Sequence, residues 1–259
     1  MKISIITVTY NSEKHLERCI NSVLNQRYHD IEYIIVDGNS TDATKEIINK
    51  YSYRISKFVS ESDEGIYDAI NKGIRLATGD VIGLLNSDDF FVDDNTLQSV
   101  VSALNESKTD IIFADIDFVS SSNLNKVIRH YSSKFFRPWM FKFGYQPAHP
   151  TFYTYRSNFT KYGLYRTDFK IAGDFELMLR FLLINNLSYK YYELTWVKML
   201  TGGASTSGVK SVLRVNKEII SSFELNGLYT NYLFVFSKYL FKWVSFFPIR
   251  QWFNSSLPK

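Results

Sequence analysis

Cysteine is almost absent from the sequence: Cys19 is the only one, so the chain cannot close a disulfide on itself. The four histidines do not join it at the spacings typical of zinc sites, which excludes the common zinc-binding modules. A chain without disulfides fits a reducing compartment, and we expect a cytoplasmic protein. Its 259 residues suffice to bury a substantial core in one large domain, with room for a small appendage.

Long hydrophobic runs are missing too. The apolar stretch from Ile3 to Val8 is followed at once by polar Thr9 and Asn11, and its β-branched residues indicate a buried strand rather than a signal peptide. No uninterrupted apolar stretch reaches the roughly 18 residues that a membrane-spanning helix needs. The sequence therefore predicts no transmembrane segment.

A strong excess of one charge is also lacking. The 30 Lys and Arg residues against 26 Asp and Glu give a formal net charge of +4. An ordinary solvated surface explains this value, and we predict no nucleic-acid partner. What the chain has in excess is aromatic side chains, with 21 Phe and 18 Tyr. They suit a core, a sugar-binding surface or a membrane interface, and composition alone does not choose among these.

Short apolar strands alternate with amphipathic helices through the first half of the chain. Continuous apolar strands separated by helices are typical of parallel sheets covered on both faces. The sequence thus predicts an α/β fold with a mostly parallel central sheet. The predicted strands are Ile3–Thr9, Tyr33–Val36, Ile55–Val59, Val81–Leu85 and Ile111–Ala114.

The regular alternation ends near residue 117, which separates a first half, residues 1–117, from a second half, residues 118–207. Helices are predicted again at Asp174–Ile184 and Val209–Leu225. We assign residues 1–207 to one main domain and residues 208–259 to a helical, aromatic-rich C-terminal extension.

Three carboxylates, Asp37, Asp88 and Asp89, fall where predicted strands end. Ligands bind beyond the carboxyl ends of parallel strands, so this placement indicates a binding site. Adjacent carboxylates repel each other unless they are neutralised, and Mg²⁺ or Mn²⁺ prefers oxygen ligands shared with a substrate phosphate. Taken alone, these segments are equally well explained as Asp-rich turns.

Four sequence blocks together resemble the family 2 glycosyltransferases of GT-A fold. They are residues 4–11 (SIITVTYN), 36–42 (VDGNSTD), 60–73 (SESDEGIYDAINKG) and 86–89 (NSDD), in the family's order and spacing. The resemblance extends over about residues 1–205. It implies a Rossmann-like sheet and a transferase that moves a hexose or N-acetylhexosamine from a nucleotide-sugar, UDP-linked by family frequency, to a hydroxyl group. The implied cofactor is Mn²⁺ or Mg²⁺.

The resemblance assigns the donor side residue by residue. It implies that Asp88 and Asp89 hold the metal, one as a direct ligand and the other in contact with the ribose or donor sugar. Asp37 would contact the base or ribose, although Gly38 stands where the commoner Asp-Asp-Gly-Ser pattern has a second carboxylate. The remaining implied donor-binding residues are Thr9, Tyr10, Asn11, Asp63, Asp68, Lys72, Gly203 and Ser205.

Two of these assignments have equally plain alternatives. Asp68 and Lys72, four residues apart on one predicted helix, could form no more than a surface ion pair. Residues 201–208 (TGGASTSG) resemble a mobile loop that closes over the diphosphate through Gly203 and Ser205. The same composition also describes a surface linker.

A catalytic base is expected in the second half, where residues 172–176 (AGDFE) match the family's acidic block. Asp174 is the predicted base of an inverting transfer, and Glu176 is the reserve candidate on the acceptor side. Asp174 could instead be a helix N-cap. His149 could contact the acceptor or the metal, or could have a purely structural role.

The segment from Tyr229 to Trp252 mixes Trp and Phe with Lys and Arg, as segments at membrane interfaces do. We expect residues 229–252 to contact the inner face of the cytoplasmic membrane peripherally. There the resemblance suggests lipid-linked or oligosaccharide acceptors of bacterial surface-polysaccharide, O-antigen or lipopolysaccharide assembly. A helical hairpin packed on the main domain is the alternative.

Two other functions compete with the transferase. A sugar-nucleotide nucleotidyltransferase would need a Gly-rich, basic phosphate loop after the first strand, which residues 9–12 (TYNS) lack. A catalytically inactive module that binds nucleotide-sugars or glycans would be expected to lose acidic residues, whereas the predicted carboxylates are all present.

Overall fold

The computed structural model describes residues 1–201 and 209–246 of the chain. Strands and helices alternate in the first half: β1 Ile3–Thr9, α1 Leu16–Leu24, β2 Ile31–Asp37, α2 Thr44–Lys50, β3 Lys57–Ser60, α3 Ile66–Leu76, β4 Val81–Leu84, β5 Phe90–Phe91 and α4 Thr96–Ser107. Beyond them lie β6 Ile111–Ser120, β7 Asn123–Tyr131, β8 Tyr153–Tyr155, α5 Arg156–Tyr162, α6 Gly173–Leu179, β9 Tyr189–Leu200, α7 Val209–Leu225 and α8 Tyr232–Phe246. Two 3-10 helices, Pro138–Phe143 and His149–Thr151, lie between β7 and β8.

The described strands form one sheet in the order β3-β2-β1-β4-β8-β6-β9-β5, with β7 paired to β6. Strands β3, β2, β1 and β4 run parallel to one another, and so do β6 and β9. The short strand β8 is antiparallel to both β4 and β6 and joins the two halves. The predicted α/β fold with a mostly parallel sheet is therefore confirmed.

Both faces of the sheet are covered by helices, which is why β1 is buried along its whole length. Because side chains alternate along a strand, Ile6 and Val8 face a core formed with α3, α5, α6 and α7. Ile3 and Ile5 face the other core, formed with α1, α2 and α4. The polar residues that follow β1 are left at the carboxyl edge of the sheet.

The second half departs from the sequence predictions at several elements. Strands β7, β8 and β9 and helix α5 are not predicted. β7 is mostly exposed and β9 is largely half-buried, and neither has a continuous apolar run, while β8 has only three residues. The single helix predicted at Asp174–Ile184 consists of α6 and a π-helical turn, Arg180–Ile184. In that turn the Asn185 amide donates to the Arg180 carbonyl oxygen at 3.0 Å, five residues earlier.

The C-terminal helices pack against the second half. α7 has the bounds predicted for it, and α8 lies against the first 3-10 helix. The ring centroids of Phe143 and Phe234 are 5.5 Å apart, and Thr230 Oγ1 donates to the Lys142 carbonyl oxygen at 2.7 Å. Within the described ranges, no helix combines the length and the apolar character that crossing a membrane requires.

An ion-pair network around His130 joins β7 to β6. Its Nδ1 lies 2.7 Å from Asp117 Oδ1, and its Nε2 lies 3.3 Å from Asp115 Oδ2. The buried Asp115 also accepts hydrogen bonds from the Ser133 amide and the Tyr191 hydroxyl, both at 2.8 Å. The hydrogen bond to Asp117, with the charges of both aspartates, raises the pKa of His130 above its ordinary value despite partial burial.

His130→Gln should destabilise the protein in a pH-dependent way. A histidine whose pKa rises on folding contributes stability that is complete below its unfolded pKa of about 6.5 and is lost as pH rises through the folded value. At about pH 5.5 we expect the variant to lose on the order of 0.5 kcal/mol, because half-exposed ion pairs are screened by water. The difference in stability between the variant and wild type should be smaller at about pH 8.5.

Thermal unfolding at both pH values measures this effect, and exposed His29→Gln is the matched control. If the difference in unfolding temperature between His130→Gln and wild type increases with pH, the raised pKa of His130 is contradicted.

Candidate functional site

A cavity of about 1130 Å³ opens beyond the carboxyl ends of β1 and β4, where parallel α/β sheets bind their ligands. Loops of the first half form one wall, and the second half together with α7 and α8 forms the other. The predicted site residues that line this cavity are Thr9, Tyr10, Asn11, Asp63, Asp88, His149 and Asp174.

The residues at the end of β1 shape the first-half wall. The Tyr10 ring is 63% exposed, so most of its surface is available to a ligand. Asn11 has a left-handed backbone with φ of 49°, and its Oδ1 accepts a hydrogen bond from the Thr41 amide at 2.9 Å. Thr9 Oγ1 is buried and has no hydrogen-bond partner among the described residues. This wall therefore offers a flat aromatic ring and an unsatisfied hydroxyl.

Asp63 occupies space that Gly38 leaves open. A Cβ atom at position 38 would lie 2.5 Å from Asp63 Oδ2 and 3.4 Å from Tyr10 Cδ2. Asp63 Oδ1 accepts a hydrogen bond from the Gly65 amide at 2.9 Å, which orients the carboxylate beside Tyr10. A carboxylate from the loop after β3 thus stands next to the position where the commoner sequence pattern carries one.

Asp37 does not line the cavity. It is fully buried and accepts hydrogen bonds from the Ser40 amide at 3.0 Å, from Ser40 Oγ, and from Ser60 Oγ at 2.6 Å. Ser40 Oγ in turn accepts a hydrogen bond from the Asn11 amide at 2.8 Å. The expected direct contact with a base or ribose is not what this geometry provides, because the Asp37 carboxylate orders the loops behind the wall.

Asp88 and Asp89 follow β4 and have different surroundings. Asp88 is half-buried and lines the cavity. Asp89 is fully buried; its Oδ2 accepts a hydrogen bond from Asn86 Nδ2 at 3.3 Å, and its Oδ1 has no partner in the part of the chain that the structure describes. Burial, with the charge of Asp88, raises the pKa of Asp89 well above its usual range, against the opposing effects of Asn86 and Arg18.

Asp174 lies on the opposite wall, in the first turn of α6. Gln146 Nε2 donates to its Oδ2 at 2.7 Å, and the Tyr67 hydroxyl lies 3.5 Å from its Oδ1. The residue that precedes α6 is Ala172, and no side chain caps the helix. The N-cap alternative for Asp174 therefore does not apply, and its carboxylate is held in the cavity instead.

His149 begins the second 3-10 helix and also lines the cavity. Its Nε2 is buried and has no hydrogen-bond partner within the described residues. Burial lowers the pKa of His149 below its ordinary value, although the charge of Asp174 opposes this shift. The lowered pKa favours the neutral ring, and the unpartnered Nε2 is a group that a ligand could contact.

Several predicted residues are not brought to the cavity. Asp68 and Lys72 pair with each other at 3.3 Å, and Lys72 also pairs with Glu61 at 2.9 Å, which is the surface ion pair of the alternative interpretation. Glu176 is buried in an ion pair with Arg180 at 2.9 Å and does not face the acceptor wall. Gly203 and Ser205 lie outside the described residues.

Sequence reasoning missed Gln146, Arg18 and Arg129. Arg18 Nη2 donates to the Asp88 carbonyl oxygen at 3.4 Å, and its guanidinium lies 4.7 Å from the Phe90 ring centroid. Arg129 lines the second-half wall with its guanidinium 4.0 Å from the Phe118 centroid. These contacts join distant segments, so no local pattern reveals them; Gln146 alone had a nearby signal, the residues 147–149 (PAH).

Known proteins similar to this chain agree with the geometry. The profile of the family described as Glycosyl transferase family 2 matches residues 4–171. The PGL/p-HBAD biosynthesis glycosyltransferase of Mycobacterium bovis is 34% identical over 117 residues, which are 44% of this chain and 46% of that protein. Chondroitin synthase of Escherichia coli is 34% identical over 126 residues, 48% of this chain and 18% of that protein. The matches thus span less than half the length of these curated relatives.

Solved structures resemble the chain over most of its length. S. aureus TarS 1-349 in complex with UDP-GlcNAc gives a TM-score of 0.65 at 18% identity, covering 86% of this chain and 66% of that one. The mannosyltransferase PcManGT from Pyrobaculum calidifontis, in complex with GDP-Man and Mn²⁺, gives a TM-score of 0.60 at 16% identity, covering 87% of this chain and 64% of that one. At these identities the likeness concerns the fold, and it confirms the GT-A architecture. With its profile match over residues 4–171 and this fold, the chain belongs to glycosyl transferase family 2.

Proposed function

We propose that the protein is a metal-dependent, inverting glycosyltransferase that moves a hexose or N-acetylhexosamine from a UDP-linked donor to a hydroxyl of a glycan or lipid-linked acceptor. The observation that supports this most is that Asp88 and Asp174, from opposite halves of the chain, line one cavity. A nucleotide-sugar between them would meet a carboxylate suited to a metal on one side and a carboxylate suited to accept a proton on the other.

The first-half wall supports a uridine donor. The exposed Tyr10 ring is a surface on which a base could stack. Asp63 uses Oδ1 for the Gly65 amide, and its Oδ2 lies beside Tyr10 as one remaining acceptor. A single acceptor matches the single N3–H donor of uracil or thymine, whereas guanine presents two adjacent donors and N3 of cytosine is itself an acceptor. TarS solved with UDP-GlcNAc is consistent with this choice.

The surroundings of Asp88 and Asp89 fit a hard divalent cation, Mn²⁺ or Mg²⁺. The buried, unsatisfied Oδ1 of Asp89 and the carboxylate of Asp88 are the oxygen ligands that such ions prefer. Within residues 1–201 and 209–246, no group of three His, Cys, Asp or Glu could hold a metal, which fits an ion shared with a donor diphosphate. When bound, the ion would offset the negative charge of the departing nucleoside diphosphate.

Asp174 would accept the proton of the attacking hydroxyl. Gln146 Nε2 donates to one of its carboxylate oxygens at 2.7 Å, so this amide orients the group before the acceptor arrives. The Tyr67 hydroxyl lies 3.5 Å from the other oxygen and donates its proton to the Ile171 carbonyl oxygen. A single displacement from the Asp174 side, on a donor held from the Asp88 side, would invert the anomeric centre. His149 Nε2 could then bind a hydroxyl of the acceptor or of the donor sugar.

The acceptor side supports contact with a lipid-borne substrate. Phe143 packs between Trp139 and Phe234, with ring centroids 5.9 and 5.5 Å apart, and Lys142 Nζ lies 4.5 Å from the Phe234 centroid. Trp139 is 61% exposed and Leu233 is 79% exposed. Exposed aromatic and apolar side chains beside lysine suit a membrane interface.

We therefore include in the proposal that residues 229–252, of which 229–246 are described, contact the inner face of the cytoplasmic membrane during polysaccharide or O-antigen assembly.

Incubation of the purified chain with Mn²⁺ and a panel of nucleotide-sugars should release nucleoside diphosphate from one UDP-sugar, with water as the acceptor. We expect EDTA to abolish release. Asp174→Asn should lower the rate about a hundredfold or more, since a general base contributes roughly 10²–10⁴. Asp168→Asn, which removes an exposed carboxylate paired with Arg166, is the matched control and should leave the rate unchanged.

If no nucleoside diphosphate is released, calorimetric binding of the same nucleotide-sugars distinguishes an inactive binding protein from a protein that does not bind nucleotide-sugars. A donor that binds with Mn²⁺ but is never turned over would favour the inactive binding module. If no nucleotide-sugar binds with or without metal, the transferase proposal is wrong.

Asp63→Asn should change the preference for the base. With the asparagine carbonyl accepting from the Gly65 amide as Asp63 Oδ1 does, Nδ2 takes the place of Oδ2, so it can donate to N3 of cytosine but cannot accept from N3–H of uracil. We expect the affinity for UDP to fall roughly tenfold relative to CDP. Calorimetry with UDP, dTDP, CDP and GDP in the presence of Mn²⁺ measures this, with exposed Glu61→Gln of the same loop as control. An unchanged ratio of UDP to CDP affinity would refute the base contact.

Asp89→Asn should stabilise the metal-free protein. Because the pKa of Asp89 is raised on folding, stability falls as pH increases from about 4 toward the folded value, and an uncharged asparagine removes that penalty. In EDTA at about pH 8, the variant should unfold at a higher temperature than wild type, by a margin that shrinks near about pH 4.

Mn²⁺ should raise the unfolding temperature of wild type and of exposed Asp94→Asn, but not that of Asp89→Asn. A lower unfolding temperature for Asp89→Asn in EDTA at about pH 8 would contradict the buried-charge argument.

A further inference from the structure

Glu218 extends from α7 to the backbone just ahead of Asp174. Its Oε2 accepts hydrogen bonds from the amides of Ile171 at 2.9 Å and Ala172 at 2.8 Å, and its Oε1 accepts one from the Lys170 amide at 3.2 Å. One side chain thus binds three consecutive amides. α7 begins at residue 209, beyond the segment matched by the family profile, which ends at residue 171.

This arrangement has a clear physical reason. Successive backbone amides that point to one place form a nest for an anion. These three amides precede α6, which begins at Gly173, so Glu218 orders the chain that leads into the helix. Hydrogen bonds from amides to a carboxylate are charge-assisted and stronger than neutral ones.

The same backbone is held from its other side. The Tyr67 hydroxyl donates to the Ile171 carbonyl oxygen at 2.5 Å, and the Tyr67 ring stacks on Tyr165 with centroids 5.7 Å apart. A Cβ atom at Gly173 would lie 2.7 Å from Tyr67 Cε2, so this approach is as close as a glycine permits. Residues 170–173 are therefore clamped between α3 and α7, and Asp174 follows the clamp directly.

The clamp also reaches the donor side. Lys170 lines the cavity, and its Nζ donates to the Glu64 carbonyl oxygen at 3.0 Å, next to the loop of Asp63. A second contact joins the helices farther along, where Asn226 Nδ2 donates to Glu176 Oε1 at 3.2 Å. This second contact touches neither residues 170–172 nor the cavity lining, so it can serve as an internal comparison.

We propose that Glu218 is a positioning residue that holds the backbone of residues 170–172 so that the Asp174 carboxylate meets the acceptor. The proposal rests on the proposed role of Asp174 as the base. A misplacement of about 1 Å at a catalytic group can lower a rate about a hundredfold, so the loss of three hydrogen bonds just ahead of Asp174 is large enough to matter.

The full chain is compared with Glu218→Ala and Glu218→Gln. Exposed Glu224→Ala on the same helix is one control. Asn226→Ala is the other; it removes the second contact and the hydrogen bond from Asn226 Nδ2 to the Ser222 carbonyl oxygen, and leaves the bonds of Glu218 in place. We expect kcat for nucleoside diphosphate release to fall roughly tenfold to a hundredfold in Glu218→Ala and less in Glu218→Gln, whose amide oxygen still accepts one or two of the bonds. The affinity for UDP with Mn²⁺ should change less than about threefold in both, because Tyr10, Asp63 and Asp88 lie on the loops after β1, β3 and β4. The contact of Lys170 with Glu64 is made by the lysine side chain rather than by the amide that Glu218 binds.

Hydrogen exchange gives a readout that does not depend on turnover. In both Glu218 variants, the amides of residues 170–172 should lose protection, while those of α1 and β1 should keep it. The two controls should keep protection at residues 170–172. If Glu218→Ala does not fold, Glu218→Gln carries the same comparison.

The outcomes separate the two proposals. Unchanged kcat with unchanged exchange in the Glu218 variants overturns the positioning role. A fall in kcat that is matched by an equal loss of UDP affinity, or reproduced by Asn226→Ala, also overturns it, because a general loss of structure would explain both. Full activity of Asp174→Asn would instead overturn the proposed base and leave the clamp as a purely structural feature.

Discussion

The two halves of the site depend on the short seam where β8 pairs with β4 on one side and with β6 on the other. Thr154 lies opposite both Ile82 and Ile111, and its Oγ1 donates to the Asp110 carbonyl oxygen at 3.0 Å. Gly83 on β4 makes room for the neighbouring Tyr153 ring, since a Cβ atom there would overlap it. The turn of Asp88 leaves the sheet just after β4, and His149 enters it just before β8. A three-residue strand thus sets the distance across which donor and acceptor would meet.

Of the six buried polar side-chain atoms that have no partner among the described residues, four lie in or beside this cavity. Thr9 and His149 line it, and Asp89 and Arg18 adjoin Asp88; the other two atoms, in Tyr153 and Trp196, lie in a hydrophobic core. Folded proteins satisfy nearly all buried polar groups, so a cluster of exceptions marks a place that a ligand completes. The fold maintains these costly groups because the two cores on either side of the sheet are continuous and apolar. The packing of these two cores stabilises the fold, so the unsatisfied polar groups at the site can be retained.

The first half of the fold could be predicted from sequence because its strands are continuous apolar runs, and each of the four motif blocks contributes residues that line the cavity or lie behind its first-half wall. Motifs specify a position in the chain, however, and not the direction of a side chain. Asp37 matches its block, yet its carboxylate is taken up by Ser40 and Ser60. Glu176 matches its block as well, yet Arg180 holds it away from the cavity. The contacts of Gln146 and Glu218 with the segment of Asp174 join residues 28 and 46 to 48 positions apart, and no local periodicity encodes them.

The C-terminal helices show why packing on the domain and contact with a membrane need not be alternatives. α7 and α8 contribute Val215, Ile219, Lys238 and Tyr239 to the cavity wall, although the family profile ends at residue 171. On α8 the buried Val235 and Lys238 face the domain, whereas Leu233 and Phe236 remain exposed. One helix therefore has a face that completes the cavity and a face that suits an apolar surface. If that apolar surface is a membrane that carries the acceptor, α8 would both contact the membrane and form the part of the cavity wall past which the acceptor hydroxyl approaches Asp174. Donor binding, by the loops of the first half, and acceptor delivery, by the C-terminal helices, would then depend on separate parts of the chain.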